Sequence, residues 1–154
     1  MIRHLQGIVV LVARILLSQI FILSGANHLR NWDSTIKYMS SKGLAVETVL
    51  GNSADILLAP AVAFLLLGGL SVLLGIRARG GAVLLILFLI PVTLIFHDFW
   101  NYGGKDPQQV LQTINFMKNT GLGGGLLMVL AFGSGPLSLD AFFSKRRTSQ
   151  THMQ

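Results

Sequence analysis

The stretch that decides the fold is NFMKNTGLGGGLLMVLAFGSGPLSLD, residues 115–140. Three polar residues, Asn115, Lys118 and Asn119, come directly before an apolar, glycine-rich run that reaches Gly133. The sequence Gly-Ser-Gly-Pro follows at 133–136, and glycine and proline at such a position end a helix sharply. The pattern predicts a membrane helix with a polar entry and a tight turn at its exit.

Three more apolar runs precede this one, and each approaches the roughly 20 residues that a helix needs to cross a bilayer core. Together the four runs predict spans at 5–25, 56–74, 81–96 and 115–133. Run length, rather than periodicity, favours helices over strands. We therefore predict one domain, 1–154, folded as an all-α membrane protein with an up-down bundle of four transmembrane helices. Pro60 falls near the start of the second span, where a missing N–H costs least.

The composition favours lipid as the solvent. Of 154 residues, 52% are hydrophobic and 12% are charged, whereas about 25% are charged in soluble domains. The formal net charge is +6, but the basic residues are scattered at the ends of apolar runs, which favours lipid headgroups and excludes nucleic acid as a partner. Cysteine is absent from the sequence, so the chain itself carries no disulfide or thiolate metal site. No small-residue cleavage site follows the first apolar run, and we expect no cleaved signal peptide.

The longest connection between spans covers about residues 30–55 and mixes Trp32, Tyr38 and Met39 with charged side chains. This mixture predicts a short amphipathic helix on the membrane surface, followed by a Gly-Asn-Ser turn at 51–53. A plain polar loop is the alternative.

Lys and Arg residues in short flanks indicate the orientation of the spans. Four spans place the tight basic clusters on one side; these are Arg3, Arg77, Arg79, Lys145, Arg146 and Arg147. The basic residues of the other side are spread over longer segments and mixed with acids; they are Arg30, Lys37, Lys42, Lys105 and Lys118. We therefore expect a multi-pass protein with both termini in the cytoplasm.

Arg14 lies in the middle of the first span, where a charge costs about 2.5–3.5 kcal/mol on insertion scales. It should therefore face the bundle interior and have partners there. The sequence offers Ser18, Gln19, Ser71, Thr93 or backbone carbonyls freed by Pro91. Two roles stay open for Arg14, a structural hydrogen-bond post between helices or an anchor for an anionic or quinone-like head group.

The predicted outer ends of three spans are unusually polar, and an up-down bundle brings them to one membrane face. The candidate ligand-binding residues there are Asn27, His28, His97, Asp98, Lys118 and Asn119. Two imidazoles could relay protons or hydrogen-bond a quinone carbonyl, with Asp98 or Asp55 as the carboxylate that orients them. If His28 and His97 share a site, as the four-helix topology suggests, they should lie within about 10 Å of each other, close enough for one ligand or one water to bridge them.

The spacing of these residues is not a metal signature, since no HxxxH or HxH occurs, and we predict no metal. The alternative for the whole polar cluster is a set of interfacial side chains in contact with headgroup water. Glycines have a separate explanation as sites of close helix packing. They are Gly68, Gly69 and Gly75 in the second span and Gly121, Gly123, Gly124 and Gly125 in the fourth.

The sequences of four stretches resemble those of the DoxX family of small four-helix membrane proteins. Besides 115–140 they are SGANHL at 24–29, LGIRAR at 74–79 and HDFW at 97–100, in the family's order and spacing. The resemblance implies an inner-membrane protein of a kind often linked to redox enzymes, with relatives described as quinol- or thiosulfate-linked subunits. The cofactor stays unidentified, and quinone is the one candidate. Family members commonly place an acid in the second helix, at the position that Leu65 occupies here.

Three functions stay open. The leading hypothesis is an integral membrane accessory subunit of a redox or stress-response system that contacts quinone. The alternatives are a quinone-linked catalytic oxidoreductase subunit and a binder or transporter of a small hydrophobic molecule. No motif in the sequence identifies a catalytic residue. The expected partners are the lipid bilayer and a soluble or membrane oxidoreductase, and a homo-oligomer is open as well.

Overall fold

The computed structural model describes residues 2–44, 47–48, 51–104 and 106–144. Its helices are α1 (Ile2–Arg30), α2 (Trp32–Ser41), α3 (Ser53–Leu74), α4 (Ala78–Phe96) and α5 (Pro107–Phe132). The two-residue strands β1 (Glu47–Thr48) and β2 (Gly51–Asn52) pair antiparallel before α3, and a 3-10 turn (Phe99–Asn101) follows α4. The basic residues Lys105, Lys145, Arg146 and Arg147, used above to predict orientation, lie outside the described residues.

This is the architecture of an all-α membrane protein. Among the described residues, α1, α3 and α4 are long and apolar enough to cross a membrane. Large apolar side chains such as Leu16, Leu67 and Leu87 are exposed on their outer faces. A helix that presents apolar residues outward as well as inward matches a lipid environment. The fourth long helix, α5, has 26 residues and a more polar first half, and its role as a span stays a prediction.

Two helices extend well beyond the apolar runs of the sequence. α1 continues past Gly25 to Arg30, and neither Arg14 nor Gln19 interrupts it. α5 begins at Pro107 because the Asp106 carboxylate accepts a hydrogen bond from the Gln108 N–H at 2.8 Å and caps the helix.

Two local predictions around α3 are wrong. Because α3 already begins at Ser53, Pro60 lies inside the helix rather than near its start. The predicted Gly-Asn-Ser turn at 51–53 is instead strand β2 followed by the first residue of α3. The pairing of β2 with β1 uses backbone groups, which the apolar pattern of the sequence does not reveal.

The long helices pack in chain order, with α3 against α1 and α4, and α5 against α4. Glycine permits the closest approaches, as predicted. A Cβ on Gly68 would lie 2.9 Å from the carbonyl oxygen of Gly81, and one on Gly69 would lie 2.7 Å from Cγ1 of Ile22. Larger residues there would push α3 away from its neighbours.

The packing prediction is only partly right for α5. A Cβ on Gly125 would lie 3.2 Å from Cδ1 of Leu17, so this glycine does permit a close contact with α1. A Cβ on Gly121 or Gly124 would meet no atom within 4 Å. These two glycines therefore face open space within the described part of the chain.

Two apolar clusters hold the bundle together. The larger one joins the four long helices through Phe21, Leu65, Val72, Ala78, Ala82, Leu85, Leu89, Leu126 and Val129. The smaller one packs Met39 of α2 on Ala54, Leu58 and Val62 of α3. The predicted helix between the first two spans is thus confirmed as α2, and the alternative of a plain loop is wrong.

The chain after α5 returns to the turn between α3 and α4. The Asp140 carboxylate accepts a hydrogen bond from the Arg77 N–H at 2.7 Å, and the Asp140 N–H donates to the Gly75 carbonyl at 3.1 Å. Ser71 closes the same turn by donating from Oγ to the carbonyl of Ile76 at 2.6 Å. Asp140 therefore ties the segment after α5 to the turn between α3 and α4.

Candidate functional site

A cavity of about 300 Å³ lies among all five helices, on the side where the polar helix ends meet. Its polar lining residues are Ser24 and His28 of α1, Thr35 and Tyr38 of α2, His97 after α4, and Lys118 and Asn119 of α5. Apolar side chains such as Phe21, Leu65 and Phe88 form much of the remaining wall. Small-molecule sites usually combine an apolar wall with a few polar groups in volumes of about 300–1,000 Å³. This hollow, called the central cavity below, is the candidate functional site.

The structure brings together four of the predicted site residues. His28, His97, Lys118 and Asn119 all line the central cavity, although they come from three helices. The other three predicted residues, Asn27, Asp98 and Arg14, do not line it. Asn27 is exposed, and its Oδ1 accepts a hydrogen bond from Nδ2 of Asn31 at 2.9 Å.

His97 follows the last turn of α4, and its Nδ1 lies 2.9 Å from Oε1 of Gln112 on α5. An amide oxygen only accepts, so in the neutral ring Nδ1 carries the proton and Nε2 is an acceptor. Gln112 is itself buried. Gln112 was not among the predicted site residues, although it lies seven residues before Asn119 and therefore on the same face of α5.

His28 is held between α1 and α2. Thr35 donates its hydroxyl proton to the Asn31 carbonyl at 2.8 Å, so its Oγ1 accepts from Nδ1 of His28 at 3.3 Å. Ser24 places its Oγ 3.4 Å from Nε2 of His28. Both contacts of the imidazole are long for hydrogen bonds, so a ligand could replace Ser24 at little cost. Spacing of one helical turn could have revealed Ser24, but not Thr35, which depends on how α2 docks.

Asn119 is the most enclosed polar residue of the cavity wall, with 7% of its surface exposed. Its Nδ2 donates to Oγ1 of Thr93 at 3.0 Å, and Thr93 donates to the Leu89 carbonyl at 2.6 Å. The described residues provide no further partner for the Asn119 side chain. Its Oδ1 and second N–H are therefore open to a ligand. Lys118 is exposed and donates to Oδ1 of Asn115 at 2.9 Å.

The two carboxylates expected to orient an imidazole bind other groups. Asp98 accepts a hydrogen bond from Nζ of Lys42 at 3.0 Å, and Lys42 also reaches the Tyr102 hydroxyl at 3.3 Å. The hydrogen bond with Asp98 is the main cause that raises the pKa of Lys42. Asp55 accepts from Nε1 of Trp32 at 3.0 Å. The prediction for Asp98 and Asp55 is thus wrong, because they fasten the two ends of α2 over the bundle.

No cluster of three or more His, Asp or Glu side chains that could hold a metal occurs in the described part of the chain. The polar groups of the central cavity are instead suited to hydrogen-bonding a compact molecule. They are the acceptor nitrogen of the His97 imidazole, the Asn119 carboxamide with its open Oδ1 and second N–H, and hydroxyl groups, all set in an apolar wall. Such groups can hold an oxygen-bearing ring and exchange protons with it.

Comparison with known proteins agrees with this architecture. The sequence model of the DoxX family matches residues 9–98, which contain most of α1, all of α2, α3 and α4, and both cavity histidines. The chain belongs to the DoxX family. The sequence model of the SURF4 family also matches, over residues 57–146. No solved structure matches the chain.

Two relatives of this DoxX family protein come from Escherichia coli (strain K12). The inner membrane protein YphA is 30% identical over 135 residues, which cover 88% of this chain and 90% of YphA. The inner membrane protein YqjF is 27% identical over 144 residues, covering 94% of this chain and 98% of YqjF. The predicted family and the inner-membrane class are therefore confirmed.

In this DoxX protein the Arg14 guanidinium binds at the end of the bundle where α3 and α5 terminate, away from the polar helix ends of the central cavity. Its side chain is 2% exposed and donates hydrogen bonds to four backbone carbonyls. Nε and Nη2 reach Val72 and Leu73, at 2.9 and 2.7 Å, in the last turn of α3. Nη1 reaches Ser134 and Leu137, at 2.6 and 2.9 Å, in the segment after α5.

The prediction of the hydrogen-bond partners of Arg14 is therefore wrong. None of the expected side chains accepts from it, and the carbonyls near Pro91 are not involved. The last carbonyls of a helix lack partners within the helix and carry its negative dipole end, so a buried guanidinium satisfies them well. This arrangement explains how the chain accommodates Arg14 with Leu65, not an acid, in the second membrane helix.

Proposed function

We propose that this protein is a membrane subunit of a redox system and that its central cavity binds the ring of a quinone. A quinone ring is flat and apolar on both faces, and it carries carbonyl oxygens on opposite edges. The central cavity matches this pattern, because His28 on α1 faces the bundle from one side while His97 and Asn119 come from α4 and α5. This placement of polar groups around an apolar cavity is the observation that carries the proposal.

The chain's own groups are suited to move protons at the cavity. A quinone takes up two electrons and two protons when it is reduced. His97 offers Nε2 as a proton acceptor in its neutral ring and as a donor when charged. Lys118 is exposed and also lines the cavity, so its ammonium group is a second group of the wall that can donate a proton. A partner oxidoreductase supplies the electrons, which makes the role of this subunit accessory.

A binder or transporter of another small hydrophobic molecule is the second candidate, favoured by the largely apolar wall of the cavity. A catalytic quinone-linked subunit is the third. Quinone turnover by the purified chain alone would favour the third candidate over an accessory role. Saturable binding of an uncharged apolar molecule without a carbonyl, at an affinity equal to that of a quinone, would favour the second.

We further propose that α5 is the fourth span and that both termini face the cytoplasm. The 26 residues of α5 correspond to about 39 Å of helix, enough to cross a bilayer core. Asp140 ties the segment after α5 to Arg77 in the turn between α3 and α4, so both lie at one end of the bundle. Arg77 and Arg79 give that end the positive charge typical of the cytoplasmic side.

The binding proposal is tested with a tail-less benzoquinone and the purified protein in lipid nanodiscs. Isothermal titration should show saturable binding to the wild type. Asn119→Leu should weaken it about tenfold, the effect of losing roughly one hydrogen bond to the ligand. Asn27→Leu is the matched control, since Asn27 is an amide outside the cavity, and it should bind like the wild type. Absence of saturable binding to a folded wild-type protein would refute the proposal.

A further inference from the structure

The two histidines of the central cavity are held through the same ring nitrogen. Nδ1 of His97 lies 2.9 Å from Oε1 of Gln112, an amide oxygen that can only accept. Nδ1 of His28 lies 3.3 Å from Oγ1 of Thr35. The Thr35 hydroxyl donates its one proton to the Asn31 carbonyl at 2.8 Å, so towards the imidazole it can only accept. Both neutral rings therefore carry their proton on Nδ1.

The other ring nitrogen, Nε2, is consequently an acceptor in both histidines. Nε2 of His97 has no hydrogen-bond partner in the part of the chain that the structure describes. Nε2 of His28 lies 3.4 Å from Oγ of Ser24, which lines the cavity beside it. That contact is long for a hydrogen bond, so a ligand hydroxyl is a better donor to this nitrogen. The cavity thus offers two imidazole acceptors, one from α1 and one from the end of α4.

The other polar groups of the cavity wall do not reverse this preference. The Asn119 side chain has an open oxygen and an open N–H, so it serves a donor or an acceptor equally. The hydroxyls of Ser24 and Tyr38 rotate and can do the same. Lys118 can only donate, but it is exposed and its ammonium already binds Oδ1 of Asn115 at 2.9 Å. The two imidazoles therefore decide which direction of hydrogen bonding the ligand must have.

We propose that Thr35 and Gln112 determine the redox state of the ring that binds, and that they select the reduced form, which bears hydroxyl groups. A hydroquinone carries O–H donors at opposite edges, whereas a quinone carries carbonyl oxygens, which only accept. Two Nε2 acceptors can hydrogen-bond the hydroquinone, while a quinone in the same place sets acceptor against acceptor. This inference rests on the proposed function and adds two positioning residues, which act through the histidines.

The selection depends on hydrogen-bond direction rather than on shape, because the two redox forms are nearly the same size. A site built to hydrogen-bond a hydroxyl rejects an analogue that lacks it, since polar groups of the site are then left unpaired. Loss of a single hydrogen bond corresponds to about a tenfold change in affinity. We therefore expect the wild type to bind hydroquinone at least about tenfold more tightly than benzoquinone.

Gln112→Glu tests the role of Gln112. A carboxylate at this position still accepts from Nδ1 of His97, but its negative charge favours the charged ring, in which Nε2 also donates. The preference should therefore move towards benzoquinone. Gln108→Glu is the matched control, because it makes the same change on α5 at an exposed residue that does not line the cavity.

Thr35→Val tests the role of Thr35, since valine has nearly the shape of threonine and cannot accept from Nδ1 of His28. The ring is then free to carry its proton on Nε2, and the preference for hydroquinone should fall by roughly threefold or more. Thr120→Val is the matched control. The Thr120 hydroxyl also donates to a carbonyl of its own helix, that of Phe116, but Thr120 does not line the central cavity.

The affinities of tail-less hydroquinone and benzoquinone are measured for each variant in lipid nanodiscs and oxygen-free buffer. The ratio of the two affinities should stay at the wild-type value in both controls and should fall in Gln112→Glu and Thr35→Val. A purely structural role would weaken both ligands alike, so an unchanged ratio in Gln112→Glu and Thr35→Val would overturn the proposal. Benzoquinone binding to the wild type as tightly as hydroquinone would overturn it as well, while the proposed function stands. If the wild type binds neither form, the proposed function itself fails.

Nitrogen NMR of the isotope-labelled wild type provides a second test that does not depend on how the variants fold. At a pH at which the rings are neutral, the spectra of His28 and His97 should show the proton on Nδ1. A proton on Nε2 of either ring would overturn the proposal.

Discussion

Nη1 of Arg14 lies 2.6 Å from the carbonyl oxygen of Ser134, so a buried charge in the first helix holds the segment that follows the last one. The same guanidinium caps the end of α3 through Val72 and Leu73. One side chain therefore joins three separate parts of the chain. We infer that Arg14 is a structural post, because none of the four residues whose carbonyls it binds lines the central cavity.

Arg14→Leu should insert into the membrane at least as well as the wild type but give a less stable fold. The substitution removes a costly charge and leaves four carbonyls without their donor, and unsatisfied carbonyls in a bilayer are expensive. We expect a loss of at least about 2 kcal/mol and a melting temperature lower by roughly 5 °C or more. Arg79→Leu, which removes an exposed guanidinium with one backbone contact, is the control. A normal melting temperature combined with lost quinone affinity would show that Arg14 holds the ligand.

Gly75→Ala should be as damaging as the loss of Arg14. Gly75 has a φ of +68°, and a Cβ there would lie 2.5 Å from Cβ of Ser138 and 2.9 Å from both terminal nitrogens of Arg14. Backbone strain and the displaced guanidinium act together. Gly80→Ala is the control, because a Cβ on Gly80 meets no atom within 4 Å. Thermal unfolding of both variants checks this, and equal stability of the two would contradict the described turn.

The ion pair of Lys42 and Asp98 should make a small, alkali-sensitive contribution to stability. The raised pKa means that the folded protein binds the Lys42 proton more tightly than the unfolded chain does. The stabilisation is therefore present below the ordinary pKa of 10.5 and is lost as the pH rises through the folded-state value. For a pair near the surface we expect less than about 1 kcal/mol.

The measurement is the difference in melting temperature between the wild type and Lys42→Met, followed from neutral pH to about pH 11, above the ordinary lysine pKa. The difference should shrink towards zero at the alkaline end. Lys37→Met serves as the control, because the Lys37 side chain is exposed and makes no hydrogen bond within the described residues. A difference that stays constant over the whole range would contradict an electrostatic role for the pair.

The long helices could be predicted because apolar run length is a direct consequence of bilayer thickness. The start of α5 at Pro107 could also have been predicted, although we placed it at 115. Asp106 and Pro107 are typical residues for the start of a helix, and a search for apolar runs does not detect them. The hydrogen-bond partners of Arg14 could not be predicted from the sequence. They are main-chain carbonyls 58 to 123 residues away, and every residue carries a carbonyl, so the sequence gives no sign of which ones are used.

The central cavity was predictable only in part. Its histidines and Asn119 stand out because polar residues at the ends of apolar helices are conspicuous. Thr35 and Tyr38 enter the wall because α2 packs back on α3 through Met39, a tertiary contact without a local signature. The carboxylates were misassigned for a similar reason, since Lys42 and Trp32 reach them only in the folded chain.

The orientation should be visible in reporter fusions. Fusions at Ala78 and Gln150 should be active in the cytoplasm, and one near Lys105 should be active outside, because the tight basic clusters stay on the cytoplasmic side. Matched alkaline phosphatase and fluorescent protein fusions at each position report the two sides. External activity at Gln150 would refute the predicted topology, in which four spans leave both termini in the cytoplasm.

The most direct test of a shared quinone site in the central cavity is a double-mutant cycle on His28 and His97. Quinone affinity is measured for the wild type, His28→Ala, His97→Ala and the double variant. Two residues of one site should show a coupling energy of at least about 0.5 kcal/mol, whereas a control cycle of His97 with the exposed His4 should be additive. We predict coupling in the cycle of His28 and His97 and additivity in the cycle of His97 and His4. Strict additivity of their effects, with all variants folded, would contradict the shared site.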